Sequence, residues 1–190
     1  METIELSGII GMIAMVALTK NMIMGMMLST QYRKASYYKT IPDKYKFFNV
    51  SDLHNYTAYI ALVLVALHII LIPLDPSSKF SFMHIIQPLD APHQPNIVLL
   101  GSISLFAILL VIITTQKVVK KKLGYRTWKN IHLVSYITSM LFVVHGLAMD
   151  PLLKDRPIDW IDPEKMLAEL CGVVIIVTAV LRYKYHVKTK

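Results

Sequence analysis

Four histidines of this 190-residue chain sit inside apolar stretches, in two pairs. His54 and His68 lie 14 residues apart in SDLHNYTAYIALVLVALHIILIPL, and His132 and His145 lie 13 apart in NIHLVSYITSMLFVVHGLAM. A neutral imidazole keeps one ring nitrogen free as a donor to a metal and is the commonest metal ligand in proteins. An ionisable group inside lipid is costly and marks function. Helix packing readily absorbs one such histidine, but two pairs ask for a common cause. Two facing imidazoles at one depth supply what six-coordinate haem iron needs, the porphyrin giving the other four nitrogens. Two levels of that kind would set two irons roughly 21 Å apart at a helical rise of 1.5 Å per residue.

The elements that must position these residues follow from composition. Hydrophobic residues make up 55% of the chain and charged ones 17%, with the charges gathered between long apolar runs. Runs near 20 residues match the roughly 30 Å hydrocarbon layer of a bilayer. A backbone in lipid must satisfy its own hydrogen bonds, so each run is a helix. The prediction is an all-α integral membrane protein of one domain, residues 1–190, with spans over about 6–29, 53–74, 96–115, 130–149 and 164–183. The opening METIEL is acidic and no small-residue cleavage site follows, so the first run is expected to be a retained span. Cys171 is the single cysteine, which leaves no disulfide within the chain and no cysteine-built metal site.

Charge orients the bundle. Residues 30–50 carry Arg33, Lys34, Lys39, Lys44 and Lys46 against Asp43, and residues 116–129 carry Lys117, Lys120, Lys121, Lys122, Arg126 and Lys129 with no acid. The C-terminal tail adds Arg182, Lys184, Lys188 and Lys190. Residues 75–95 hold one lysine and two aspartates, while 150–163 hold Asp150, Asp155, Asp159 and Asp162 against Lys154 and Arg156. In a five-span count every basic segment falls on one side. That side is expected to be cytoplasmic, with the N-terminus outside and the C-terminus inside, in a multi-pass protein of the cytoplasmic membrane. Lipid head groups, not nucleic acid, then account for the net charge of +8.

Spans two and four run parallel in this topology. His54 and His132 therefore enter at the cytoplasmic level, and His68 and His145 at the outer level. The 14-residue step returns His68 to within about 40° of His54 on an ideal helix, whereas the 13-residue step leaves His132 and His145 about 140° apart. Ser135, Thr138 and Ser139 lie between the second pair, where their hydroxyls could bend or locally rewind the helix.

The patterns H-x13-H at 54/68 and H-x12-H at 132/145, two spans apart, resemble the ferric reductase/NADPH oxidase transmembrane family. The approach LGYRTWKNIHLVSY (123–136) resembles that family's bacterial members, in which a basic-aromatic loop leads into a W-x-x-I/L-H helix start. The resemblance covers roughly residues 50–150, and the same unequal spacing occurs in the family. It implies two haems b, an inner one on His54 and His132 and an outer one on His68 and His145. It also implies a membrane cytochrome b carrying electrons between a cytoplasmic-side donor and an outer-side acceptor. Larger members continue into a flavin- and NAD(P)H-binding domain. Here about seven residues follow span five, with no G-x-G-x-x-G fingerprint. The expectation is therefore a haem-only electron-transfer subunit of a larger oxidoreductase complex, not a complete enzyme. Its separate donor and acceptor would be a flavoprotein, a quinone or a peripheral redox subunit.

Two other readings stay open at this point: a quinone-reactive membrane anchor of a peripheral oxidoreductase, and a non-haem structural subunit or metal transporter. Lys20, inside span one, either meets a haem propionate, lines a quinone pocket or snorkels to the interface. Arg33, Arg126 and Lys129 are further candidates for inner propionates, though they already serve the topology rule. Met12, Met15, Met22, Met24, Met26 and Met27 could pass Cu(I), but flexible packing is the commoner use of methionine. His84 and His93 are expected to be solvated or to cap the 75–95 loop, and Trp160 and Trp128 to mark the outer and inner interfaces.

Overall fold

A computed structural model describes residues 2–34, 36–46, 49–150, 152–153 and 156–188. Lys154, Asp155 and Lys190, counted above among the loop and tail charges, lie outside these residues. The helices are α1 (Thr3–Ser29), the short α2 (Ser36–Thr40), α3 (Val50–Leu74), α4 (Pro95–Thr115), α5 (Lys117–Ala148) and α6 (Pro163–Lys188). No strand occurs among the described residues. The five longer helices are each long and apolar enough to cross a membrane, and each coincides with one expected span.

Local chemistry sets where they start. The Glu2 main-chain N–H donates to Glu5 Oε2 at 3.0 Å, and the Asn49 side chain accepts from Ser51 N at 3.1 Å, so the openings of α1 and α3 are capped. Pro95 and Pro163 each stand at a first helical position, where a missing N–H costs nothing. One boundary differs from expectation. The basic segment 116–129, read as a connecting loop, is helical from Lys117, and Gln116 alone joins α4 to α5. Gly124, at φ 75° and ψ 161°, breaks this helix into segments 117–123 and 125–148. That conformation is open to glycine and strained for any residue with a Cβ.

Apolar side chains cover the outside of the bundle: Ile60, Val63, Leu67 and Ile70 on α3, Phe106 and Ile113 on α4, and Val173, Ile176 and Val180 on α6 are all exposed. The core between the helices is narrow, built from Ala14, Met15, Val65, Phe142, Val143, Ala168, Cys171 and Ile175. Helices apolar all round with small or flexible residues at their contacts are what a lipid solvent selects. α1 packs along α3, α4 packs along α5, and α6 lies against α1 and α5. α3 touches α4 only lightly and is not packed on α5. The two histidine-bearing helices thus face each other across a slot, each held by another helix behind it.

Asp75 ties the end of α3 to the start of α1. Its Oδ2 accepts from Ile4 N at 3.0 Å, and its Oδ1 accepts from Ser77 Oγ at 2.6 Å and Ser77 N at 3.0 Å. The Ser77 hydroxyl first, then the Ser77 and Ile4 amides, hold this carboxyl below the usual carboxylate range. A carboxyl depressed in the folded state contributes stability that is complete above its unfolded value, about 3.9, and is lost as pH falls through the lower folded value. Asp75→Asn should lower the thermal midpoint in detergent at neutral pH and blunt the acid sensitivity that the wild type shows below about pH 4. Identical melting of the two proteins at both pH values would remove Asp75 from the account of α1 docking.

Candidate functional site

Two imidazole pairs meet across the slot. His54 and His132 have ring centres 6.1 Å apart with planes crossed at 68°, and His68 and His145 have centres 6.5 Å apart with planes crossed at 79°. Two imidazole nitrogens sharing one metal ion at about 2 Å each, with roughly another ångström from nitrogen to ring centre, place the centres about 6 Å apart. Both pairs have the spacing of axial ligands.

Each ring except one is fixed from behind. His68 Nδ1 lies 2.8 Å from the Ser7 carbonyl, His54 Nδ1 lies 3.1 Å from the Asn21 carbonyl, and His145 Nδ1 lies 2.8 Å from the Ile97 carbonyl. A carbonyl oxygen only accepts, so Nδ1 must carry the proton in all three, leaving Nε2 with its lone pair. That tautomer is the one a metal requires. Ser7 and Asn21 also reach back with their side chains. Ser7 Oγ donates to the His68 carbonyl at 2.9 Å, and Asn21 Nδ2 donates to the His54 carbonyl at 2.6 Å and to Thr57 Oγ1 at 2.9 Å. On α1, therefore, one polar residue clamps each histidine of α3 at both its ring and its backbone.

A glycine one turn further along makes each contact possible. Gly11, Gly25 and Gly101 lie four residues after Ser7, Asn21 and Ile97. A helical side chain leans toward the N-terminus over the preceding turn, so a side chain at the glycine position would cover the carbonyl that the imidazole reaches. A Cβ on Gly11 would lie 2.9 Å from His68 Nδ1, one on Gly101 2.9 Å from His145 Cε1, and one on Gly25 3.3 Å from His54 Cε1. These glycines, and Ser7 and Asn21, were missed in the sequence. The signal was there: S-x-x-x-G at 7–11 recurs as N-x-x-x-G at 21–25, the same 14-residue interval that separates His54 from His68.

His132 departs from this pattern, and with it the 140° problem is resolved. The helix keeps helical dihedrals from Tyr125 to Ala148, so no rewinding occurs, although Ser135, Thr138 and Ser139 do bond back to carbonyls of the preceding turn. His145 leans on α4, whereas His132 stacks on Trp128 of its own helix, with centres 5.4 Å apart and planes 27° apart. Its Nδ1 is buried with no hydrogen-bond partner among the described residues, as is Trp128 Nε1. Trp128, expected to mark the inner interface, is packed against a histidine of the site.

The His145 end is further braced by Lys165 of α6, a buried residue that the sequence reading passed over. Its ammonium donates to the Gly146 and Met149 carbonyls at 3.0 and 2.6 Å, satisfying the last turn of α5. Beside it Asp150 pairs with Arg156 at 2.8 Å, and its main-chain N–H donates to Gln94 of the α4 cap at 2.8 Å. The candidate propionate cations have the following surroundings. Lys20 and Arg126 are exposed, Arg33 stands over Tyr32, and Lys129 over Tyr125. At the His132 end the cations beside the site's own aromatics are Lys120, over Trp128, and Arg182, over Tyr136. His84 accepts from Ser81 N at 3.1 Å within its loop, His93 stacks on Phe80, and Met15 and Met22 are buried in packing.

The family model described as ferric reductase like transmembrane component matches residues 7–143 of this chain. The match begins at Ser7, takes in the rest of α1 with both of its clamps, and ends two residues before His145. Comparison with curated proteins finds no match.

The glycine argument is testable by stability. Gly101→Ala gains up to about 1 kcal/mol of helix propensity but overpacks against an imidazole pinned by the Ile97 carbonyl, which costs about 1–3 kcal/mol. Taking the middle of that cost, we expect a net loss of about 1 kcal/mol in unfolding titrations. Gly146→Ala serves as the contrast, because the atom its Cβ would meet is the mobile end of Met15; it should be nearly neutral. A Gly101→Ala protein as stable as wild type would mean that the His145 ring is free to retreat.

Proposed function

The chain belongs to the ferric reductase like transmembrane component family, and on that premise we propose that it is a di-haem b-type cytochrome of the cytoplasmic membrane. As a family member with five membrane-spanning helices it is a multi-pass membrane redox component. The finer reading gives one haem b to His54 and His132 and a second to His68 and His145. The observation that carries it is the paired imidazoles: centres 6.1 and 6.5 Å apart, with the proton of three rings held on Nδ1 by main-chain carbonyls.

When bound, haem supplies one-electron chemistry that no side chain of this protein offers. The protein's part is to bind, orient and insulate. The Ser7, Asn21 and Ile97 carbonyls fix ring direction and tautomer and raise imidazole basicity. Apolar packing by Met15, Val65 and Phe142 keeps water out of the slot between the levels. The basic segments support a topology with the His54–His132 level toward the cytoplasm, the N-terminus outside and the C-terminus inside. Electrons would pass between a donor on the cytoplasmic side and an acceptor on the outer side, with a flavoprotein, quinone or peripheral redox subunit as partner in a larger complex.

A pyridine haemochromogen assay on purified protein should give two haems b per chain. His68→Ala and His145→Ala should each remove the same haem and spare the other, as judged by low-temperature difference spectra. Protein free of haem, or loss of different haems from those two variants, would defeat the proposal.

A further inference from the structure

Three of the four imidazoles are fixed by a main-chain carbonyl laid bare by a glycine, and His132 is not. The stretch of α4 one histidine step from Ile97 and Gly101 offers Leu110 and Thr114. Thr114 is no glycine, and its hydroxyl itself donates to the Leu110 carbonyl at 2.8 Å. That carbonyl is covered and committed. What backs His132 instead is the Trp128 indole, four residues earlier on the same face of its own helix. The indole is held in turn: Lys120 Nζ stands 3.6 Å from its ring centre, well inside the range of a cation–π contact. On a straight helix the eight residues from Lys120 to Trp128 would rise about 12 Å. The break at Gly124 is what lets Lys120 reach.

We propose that Trp128, clasped by Lys120 across the Gly124 break, is the positioning residue for His132, replacing the carbonyl clamp that fixes the other three imidazoles. The proposal rests on the reading of His132 as an axial haem ligand. A stacked ring sets the tilt of the imidazole but gives its Nδ1–H no acceptor. His132 is therefore held by packing alone and is the weaker electron donor of its pair. It is the ligand that leaves first when its support is removed.

The test uses purified haem-loaded protein, with two readouts: the low-spin signals in electron paramagnetic resonance, and carbon monoxide binding by the reduced protein, which a haem with two histidine ligands resists. His132→Ala identifies which signal belongs to its level. Trp128→Leu should raise the carbon monoxide-reactive fraction about tenfold or more, the scale on which contacts behind a metal ligand act, and should perturb only the signal missing from His132→Ala. Trp128→Phe, which keeps a stacking ring, should stay close to wild type. Lys120→Gln and Gly124→Ala should both fall between, since a Cβ at Gly124 meets no neighbour and acts only through the backbone angle. A Trp128→Leu protein with both signals intact and no gain in carbon monoxide binding would overturn the proposal. So would loss of both haems together, which would make Trp128 a folding residue. Wild-type protein without haem would instead defeat the reading on which the proposal stands.

Discussion

A helical carbonyl that already accepts its own i+4 amide still has a second lone pair, and three imidazoles of this protein depend on that lone pair. In water an imidazole N–H finds a partner anywhere. In a bilayer interior the partners must come from the protein, and an unmatched polar group is expensive. The backbone of a neighbouring helix is the one acceptor always present there, but side chains hide it. Glycine uncovers it. Gly11, Gly25 and Gly101 therefore belong to the site as much as the histidines do, although none of them carries a functional group.

The same constraint explains how the helices are partnered. α3 and α5 are not packed on each other, and the two imidazole pairs face across the slot between them. Each is stabilised from behind, α3 by α1 and α5 by α4, with α6 bridging the two pairs. The supports at the helix ends are polar and local: Asp75 at the junction of α3 and α1, and Lys165 on the last carbonyls of α5. Between those ends the contacts are mainly apolar apart from the Ser7 and Asn21 clamps, and the outward faces are left to lipid.

Much of this was legible in the residues. The five spans followed from hydropathy and length, and the two facing histidine pairs from spacing and span count. What could not be read was the back of the site. A glycine in an apolar run reads as filler until the helix it faces is known, and Trp128 reads as an interface marker because tryptophan before a span usually is one. Lys165 sits at a span edge, where lysine commonly reaches for water; only the fold shows it turned inward onto carbonyls. The 13-residue step looked like a demand on the backbone and proved to be a matter of which neighbour each ring leans on. In each case the missing information was the identity of the helix opposite, which is a property of packing and not of local pattern.

The 14-residue interval shared by α1 and α3 couples the lengths of two helices that run in opposite directions. Removing a single residue between Gly11 and Asn21 would turn one clamp about 100° away from its histidine while leaving the other in place. A matching deletion in α3 would restore that register but pull His54 and His68 out of step with α5. Insertions and deletions between the two levels are thus barred from both helices, even from the one that bears no histidine. Over evolutionary time such a bundle can exchange almost every side chain on its lipid-facing surface, but it cannot change how many residues lie between its two levels.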